Sequence, residues 1–146
     1  MLRVKGFTLL EILIALTIVS ILAVVAVPMY LNYDVRAKIT EGFSLVDPVK
    51  LMVSEYYQAT GVWPPSNQIA GVQDPGSFES NYVKSIKVEK TLSTGSSAIT
   101  ITYSIPALGS NNTIVLTPAN ASGNEIQWSC NHGTVADKYR PAACKS

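Results

Sequence analysis

Residues 12–31 carry no charge, and most of them are aliphatic. At about 1.5 Å rise per residue, roughly twenty helical residues cover the roughly 30 Å hydrocarbon core of a bilayer. A helix that is apolar on every side cannot present a polar face to water. The run therefore demands lipid, or other apolar helices, around it. One carboxylate, Glu11, stands at its N-terminal edge. A charge in such a segment is costly unless a partner neutralises it, so Glu11 marks a functional position by default.

Upstream, Arg3 and Lys5 precede Gly6, and Lys5-Gly6-Phe7-Thr8-Leu9-Leu10-Glu11 leads into the apolar run. The order is a basic residue, glycine, an apolar residue, threonine, two apolar residues and glutamate, then a long apolar stretch. It resembles the class III signal of type IV pilins and their relatives, and it covers the first fifth of the chain. The resemblance implies cleavage between Gly6 and Phe7 by a prepilin peptidase/N-methyltransferase, and N-methylation of the new Phe7 amine. Gly6, lacking a side chain, lets a protease approach the backbone closely. A secretory signal peptide cut after Val24-Val25-Ala26 is a competing reading, but its apolar core would be only about 7–15 residues long. A plain membrane anchor accounts for the length and leaves Gly6 and Glu11 unexplained. Arg3 and Lys5 on the short flank favour that end in the cytoplasm and the bulk of the chain outside.

If Gly6 is removed, Phe7 gains a cationic amine. In a low-dielectric surround a carboxylate and an amine attract strongly. Phe7 and Glu11 could pair within one subunit, or Glu11 could meet the Phe7 amine of a neighbouring copy. Family resemblance favours the second arrangement. A buried ion pair is a poor source of net stability but a good device for register.

The chain has 146 residues, enough for one small domain beside the span. Removing residues 1–6 takes away Arg3 and Lys5, leaving nine Lys and Arg against ten Asp and Glu, a net charge of −1. No electrostatic footprint for nucleic acid follows. Lys84, Lys87, Lys90, Lys138, Arg140 and Lys145 could gather into a basic patch, but interspersed Glu89 and Asp137 favour a mixed, solvated surface. The single histidine, His132, has no evident catalytic partner, and no His or Cys cluster has metal-ligand spacing. No catalytic residues, metal or cofactor are expected.

The helical pattern continues past the apolar run. Val35, Ile39, Phe43, Val46, Val49, Val53 and Tyr57 recur at spacings of three and four, on one helix face. Residues 7–60 can thus form one helix, apolar all round in its first half and amphipathic in its second. Pro28 and Pro48 each remove a backbone hydrogen bond and should kink it; three separate helices are the alternative. Gly61 and Trp63-Pro64-Pro65 stop the helix. Residues 61–81 read as a loop. Period-two alternation then begins: Ile86 and Val88 against Lys87 and Glu89, and Ile99, Ile101, Tyr103 and Ile105 against Thr100, Thr102 and Ser104. Ser93-Thr94-Gly95-Ser96 reads as a hairpin connection. Third and fourth strands are expected at 113–117 and 125–130, giving an antiparallel meander. Cys130 and Cys144, the only cysteines, read as a disulfide in an exported chain, with free thiols as the alternative. Tyr139-Arg140-Pro141-Ala142-Ala143-Cys144 also resembles the ends of many type IVa pilins.

The expected fold is α+β: a long N-terminal α-helix on a four-stranded antiparallel sheet, with a disulfide-bounded C-terminal loop. The expected divisions are a leader at 1–6, a membrane and filament-core helix half at 7–31, and a head at 32–146. The head comprises the amphipathic helix half 32–60, the loop 61–81, the sheet 82–130 and the loop 130–144. The resemblance implies a structural subunit of a type IV pilus, held in the bacterial inner membrane before assembly and extracellular afterwards. Its implied partners are its own copies, the prepilin peptidase/N-methyltransferase, the inner-membrane assembly machinery and minor pilins, with host surfaces or DNA as further candidates. A minor pilin, a type II secretion pseudopilin, and a membrane-anchored DNA or adhesin binding module are the alternatives.

Overall fold

The computed structural model describes residues 6–78, 80–91, 94–120 and 126–145. The leader residues Arg3 and Lys5, Ser93 of the expected hairpin and Glu125 of the expected fourth strand lie outside the described residues. The elements run α1 (Leu9–Thr60), β1 (Val83–Lys90), β2 (Ser97–Tyr103), β3 (Thr113–Asn120) and β4 (Gln127–Gly133), with short 3-10 turns at Pro75–Phe78, Pro106–Leu108 and Ala142–Cys144. The chain divides into two compact units, Met1–Asp34 and Val35–Ser146. Helix α1 passes through both prolines without interruption, so it is one helix and not three. Gly61, at φ +71, ends it, with its N–H bonded to the Tyr57 carbonyl at 2.8 Å. That conformation costs glycine little and other residues more.

In the second unit, Val35, Ile39, Gly42, Val46, Val49 and Val53 are the buried stripe of α1. They pack on one face of a four-stranded sheet of order β1-β2-β3-β4, with all neighbours antiparallel. That face presents Ile86, Val88, Ile99, Ile101, Tyr103, Ile114 and Leu116, each at most 2% exposed. Burying a Val or Ile side chain of this kind contributes about 1.5–3 kcal/mol. A bulge between Val83 and Ser85 places Val83 on the same face as Ile86, which strict alternation would forbid.

Three strand ends differ from expectation. Strand β2 stops at Tyr103, short of Ile105, which instead leads into the 3-10 turn opened by Pro106. Strand β3 continues past Thr117 through Pro118 to Asn120. Its pairing with β2 stops at Leu116, so Pro118 sits where that side of β3 has no strand to bond, and its missing N–H costs nothing there. Strand β4 runs beyond Cys130 to Gly133, with His132 opposite Val115. The polar Asn-His-Gly sequence gave no alternation by which to see it.

Both edges of the sheet are covered, which blunts their tendency to pair with other chains. Along β1, Asn67 (4% exposed) donates to the carbonyls of Gln73 at 2.8 Å and Ile86 at 2.9 Å, and accepts the Val88 N–H at 2.6 Å. Its side-chain amide thus stands in for a strand, with Ser66 bridged to Glu89 beside it. Along β4 lies the C-terminal loop.

Candidate assembly site

The N-terminal unit begins with a capped turn. The Glu11 N–H donates to Thr8 Oγ1 at 3.2 Å, so Thr8 satisfies one of the backbone donors that a helix start leaves free. Glu11 lies in the first turn of α1, where a carboxylate also complements the positive end of the helix dipole. With the Gly6–Phe7 peptide intact, the nitrogen of Phe7 is an uncharged amide and gives Glu11 no cation to pair with.

Beyond Glu11 the helix surface offers almost nothing polar. The Thr17 and Ser20 hydroxyls turn back onto their own helix and donate to the carbonyls of Ile14 at 2.7 Å and Leu16 at 2.8 Å. Every residue of 6–31 is exposed, among them Leu9 at 79%, Ile21 at 70% and Val24 at 75%. An apolar surface of this extent is far larger than the patches that soluble monomers present to water. The segment is long and apolar enough to cross a membrane. Chemically it can enter lipid or pack against identical helices, and Glu11 is the one group within it able to make an ionic bond.

The second sequence-derived constellation lies in the C-terminal loop. Cys130 on β4 and Cys144 in the last 3-10 turn form a disulfide with their Cα atoms 4.8 Å apart. Arg140, 5% exposed, reaches into the loop and donates from Nε to the Val135 carbonyl at 2.7 Å and from Nη2 to the Gly133 carbonyl at 3.0 Å. Arg140 is therefore an internal brace and does not belong to a basic surface patch. Lys87 is likewise engaged, with Glu89 Oε2 at 2.7 Å. From α1, Arg36 Nε donates to the Lys138 carbonyl at 2.7 Å and ties the loop to the helix. Gly133, at φ +114, lets the chain leave β4 close to β3, because a Cβ there would lie 2.8 Å from Ile114 Cα. The bracing by Arg36 and Arg140 was hidden in the sequence: both look like ordinary surface cations, and no spacing signals that their partners are backbone carbonyls.

Among the described residues no group of three or more His, Cys, Asp or Glu could hold a metal. Breaking the disulfide should leave the sheet formed and free the loop from β4. Closing a loop of this length is worth about 3 kcal/mol on the chain-entropy account. Cys130→Ser/Cys144→Ser is thus expected to lose about that much in denaturant unfolding. An unchanged midpoint would mean that Arg36 and Arg140 alone hold the loop.

Comparison with known proteins agrees with this architecture. The sequence pattern of the family described as pilin (bacterial filament) matches residues 35–145, and that of the prokaryotic N-terminal methylation motif matches residues 1–27. The fimbrial protein EcpC of Eikenella corrodens is 34% identical over 142 residues, covering 97% of this chain and 91% of the relative. The type IV major pilin protein PilE1 of Neisseria gonorrhoeae is 33% identical over 162 aligned positions, covering 97% of this chain and 93% of the relative. The type IV major fimbrial protein FimA of Dichelobacter nodosus is 31% identical, with 97% and 95% covered.

Proposed function

The chain belongs to the pilin family of bacterial filament proteins and is a type IV pilin, a structural subunit of fimbriae; on that premise we propose how it is processed and assembled. A prepilin peptidase/N-methyltransferase cuts between Gly6 and Phe7 and methylates the Phe7 amine. Before assembly, residues 7–31 anchor the chain in the inner membrane, with the head of 32–146 outside the cytoplasm. In the filament these segments gather in the core, and the Glu11 carboxylate pairs with the Phe7 amine of a neighbouring copy. Pro28 and Pro48 bend the helix where their missing N–H groups break its ladder.

The observation that carries this reading is the fully exposed apolar surface of 6–31 with one carboxylate at its start. The surface needs a non-aqueous surround, and the carboxylate needs a cation, which cleavage creates four residues away. Likeness to major pilins over nearly the whole chain supports a major subunit of the type IVa kind. The inner-membrane assembly machinery and minor pilins are its further partners. Such a filament serves adhesion, twitching motility or DNA uptake, with host surfaces or DNA as what it meets.

Mass spectrometry of the mature protein is the direct test. The expected N-terminus is a methylated Phe7. A start at Val27 would identify a conventional signal peptide and overturn the assembly scheme. Electron microscopy of cells with and without the gene should show filaments only when it is present.

A further inference from the structure

The head carries a groove whose lining residues have no part in the assembly scheme above. It has a volume of about 460 Å³, within the range of about 300–1,000 Å³ usual for small-molecule sites. Trp63, Val115 and Pro118 form its apolar lining. Trp63 is held rigid, stacked on Tyr57 at 4.0 Å and edge-on to Trp128 at 6.3 Å. Its polar lining comes from Thr91, Thr94, Ser96, Thr117 and His132, and among the described lining residues there is no Asp, Glu, Lys or Arg.

Thr91 supplies the second, independent observation. Its Oγ1 is buried and has no hydrogen-bond partner among the described residues. A buried hydroxyl without a partner costs about 1–3 kcal/mol. Its position is set by the turn, since the Thr91 N–H donates to the Ser96 carbonyl at 2.8 Å and its own carbonyl accepts from Gly95 at 2.9 Å. The hydroxyl is thus fixed in place beside a groove of neutral donors and acceptors.

We propose that this groove binds a neutral saccharide unit, which gives Thr91, Thr117 and His132 hydrogen-bond partners and lays an apolar ring face on Trp63, Val115 and Pro118. Hydroxyls both donate and accept, as the hydroxyls of a sugar require, and the ring nitrogens of His132 add further polar contacts. The described lining offers a phosphate or carboxylate ligand no Lys or Arg, and a cationic ligand no Asp or Glu.

The site is tested on the full chain in a zwitterionic detergent, whose head group contains no sugar. Methyl glycosides of glucose, galactose, mannose and N-acetylglucosamine are titrated singly, with tryptophan fluorescence and saturation-transfer NMR as readouts. At least one should bind saturably in the millimolar range. Loss of one neutral hydrogen bond should weaken it about fivefold in Thr91→Val and again in His132→Ala. Thr91→Val removes a hydroxyl that has no partner among the described residues, so its thermal midpoint should equal or exceed that of the wild type, and weaker binding would not reflect unfolding. No saturation with any of the four glycosides overturns the proposal, as does affinity within twofold of wild type in either variant. Because the assay uses unassembled protein, its failure leaves the filament scheme standing.

Discussion

Glu11→Ala is expected to leave the protein at wild-type abundance in the membrane fraction while sheared filament falls to a small fraction of normal. The substitution makes the N-terminal segment more apolar, so insertion cannot suffer. The helix start survives, because the donor to Thr8 Oγ1 is the backbone N–H of residue 11 and not its side chain. The favourable contact of the carboxylate with the helix dipole is lost, at a cost of only about 0.3–1 kcal/mol. In the filament the loss is larger. On the proposed cleavage and pairing, the Phe7 amine would be left in the core with no counter-charge, and breaking one side of a buried pair costs about 3–5 kcal/mol. That penalty recurs at every subunit added. Thr8→Ala is the matched control: it removes the cap, worth about 1 kcal/mol, but keeps the carboxylate, and its filaments should form. Normal filament yield from Glu11→Ala would sink the pairing scheme. An equal defect in Thr8→Ala would reassign Glu11 to starting the helix.

This prediction rests on the part of the molecule most legible in the sequence. An unbroken apolar run, a glycine and a lone carboxylate are one-dimensional signals, and their meaning does not depend on what packs against them. The amphipathic half of α1 was legible for the same reason, since a period of three to four survives without tertiary knowledge. So was the pairing of Cys130 with Cys144, given export. Less legible was whatever depends on contacts between distant segments. Arg140 reads as a surface cation until the Gly133 and Val135 carbonyls are seen around it. Asn67 reads as a loop residue until its amide is found bonded along the β1 edge. The inward turn of Val83 required a bulge that no local pattern announces. The groove beside Thr91 draws on segments from Trp63 to His132, and no motif joins them.

Gly42 is the sharpest case, and its replacement should have the largest effect on the stability of the head. Sequence reasoning treats a glycine within a helix as a defect, about 1 kcal/mol worse than alanine. Here it faces the ring of Tyr103, which is 1% exposed, and a Cβ on residue 42 would lie 2.7 Å from Tyr103 Cε1. The ring cannot simply withdraw, because the Tyr103 hydroxyl donates to the Ile39 carbonyl at 3.0 Å. Burial raises the pKa of that phenol, so it stays a donor throughout the physiological range. Two effects therefore oppose each other in Gly42→Ala: a helix-propensity gain of about 1 kcal/mol, and overpacking that costs about 1–3 kcal/mol together with a strained hydrogen bond. The second should win, leaving a net loss of about 1–2 kcal/mol, and Gly42→Leu should lose about 3 kcal/mol. The decisive measurement is a double-mutant cycle in denaturant unfolding. In a Tyr103→Leu background the ring is gone, so Gly42→Ala should change sign and stabilise by up to about 1 kcal/mol. If Gly42→Ala destabilises equally in both backgrounds, the tyrosine is not what requires a glycine in this helix.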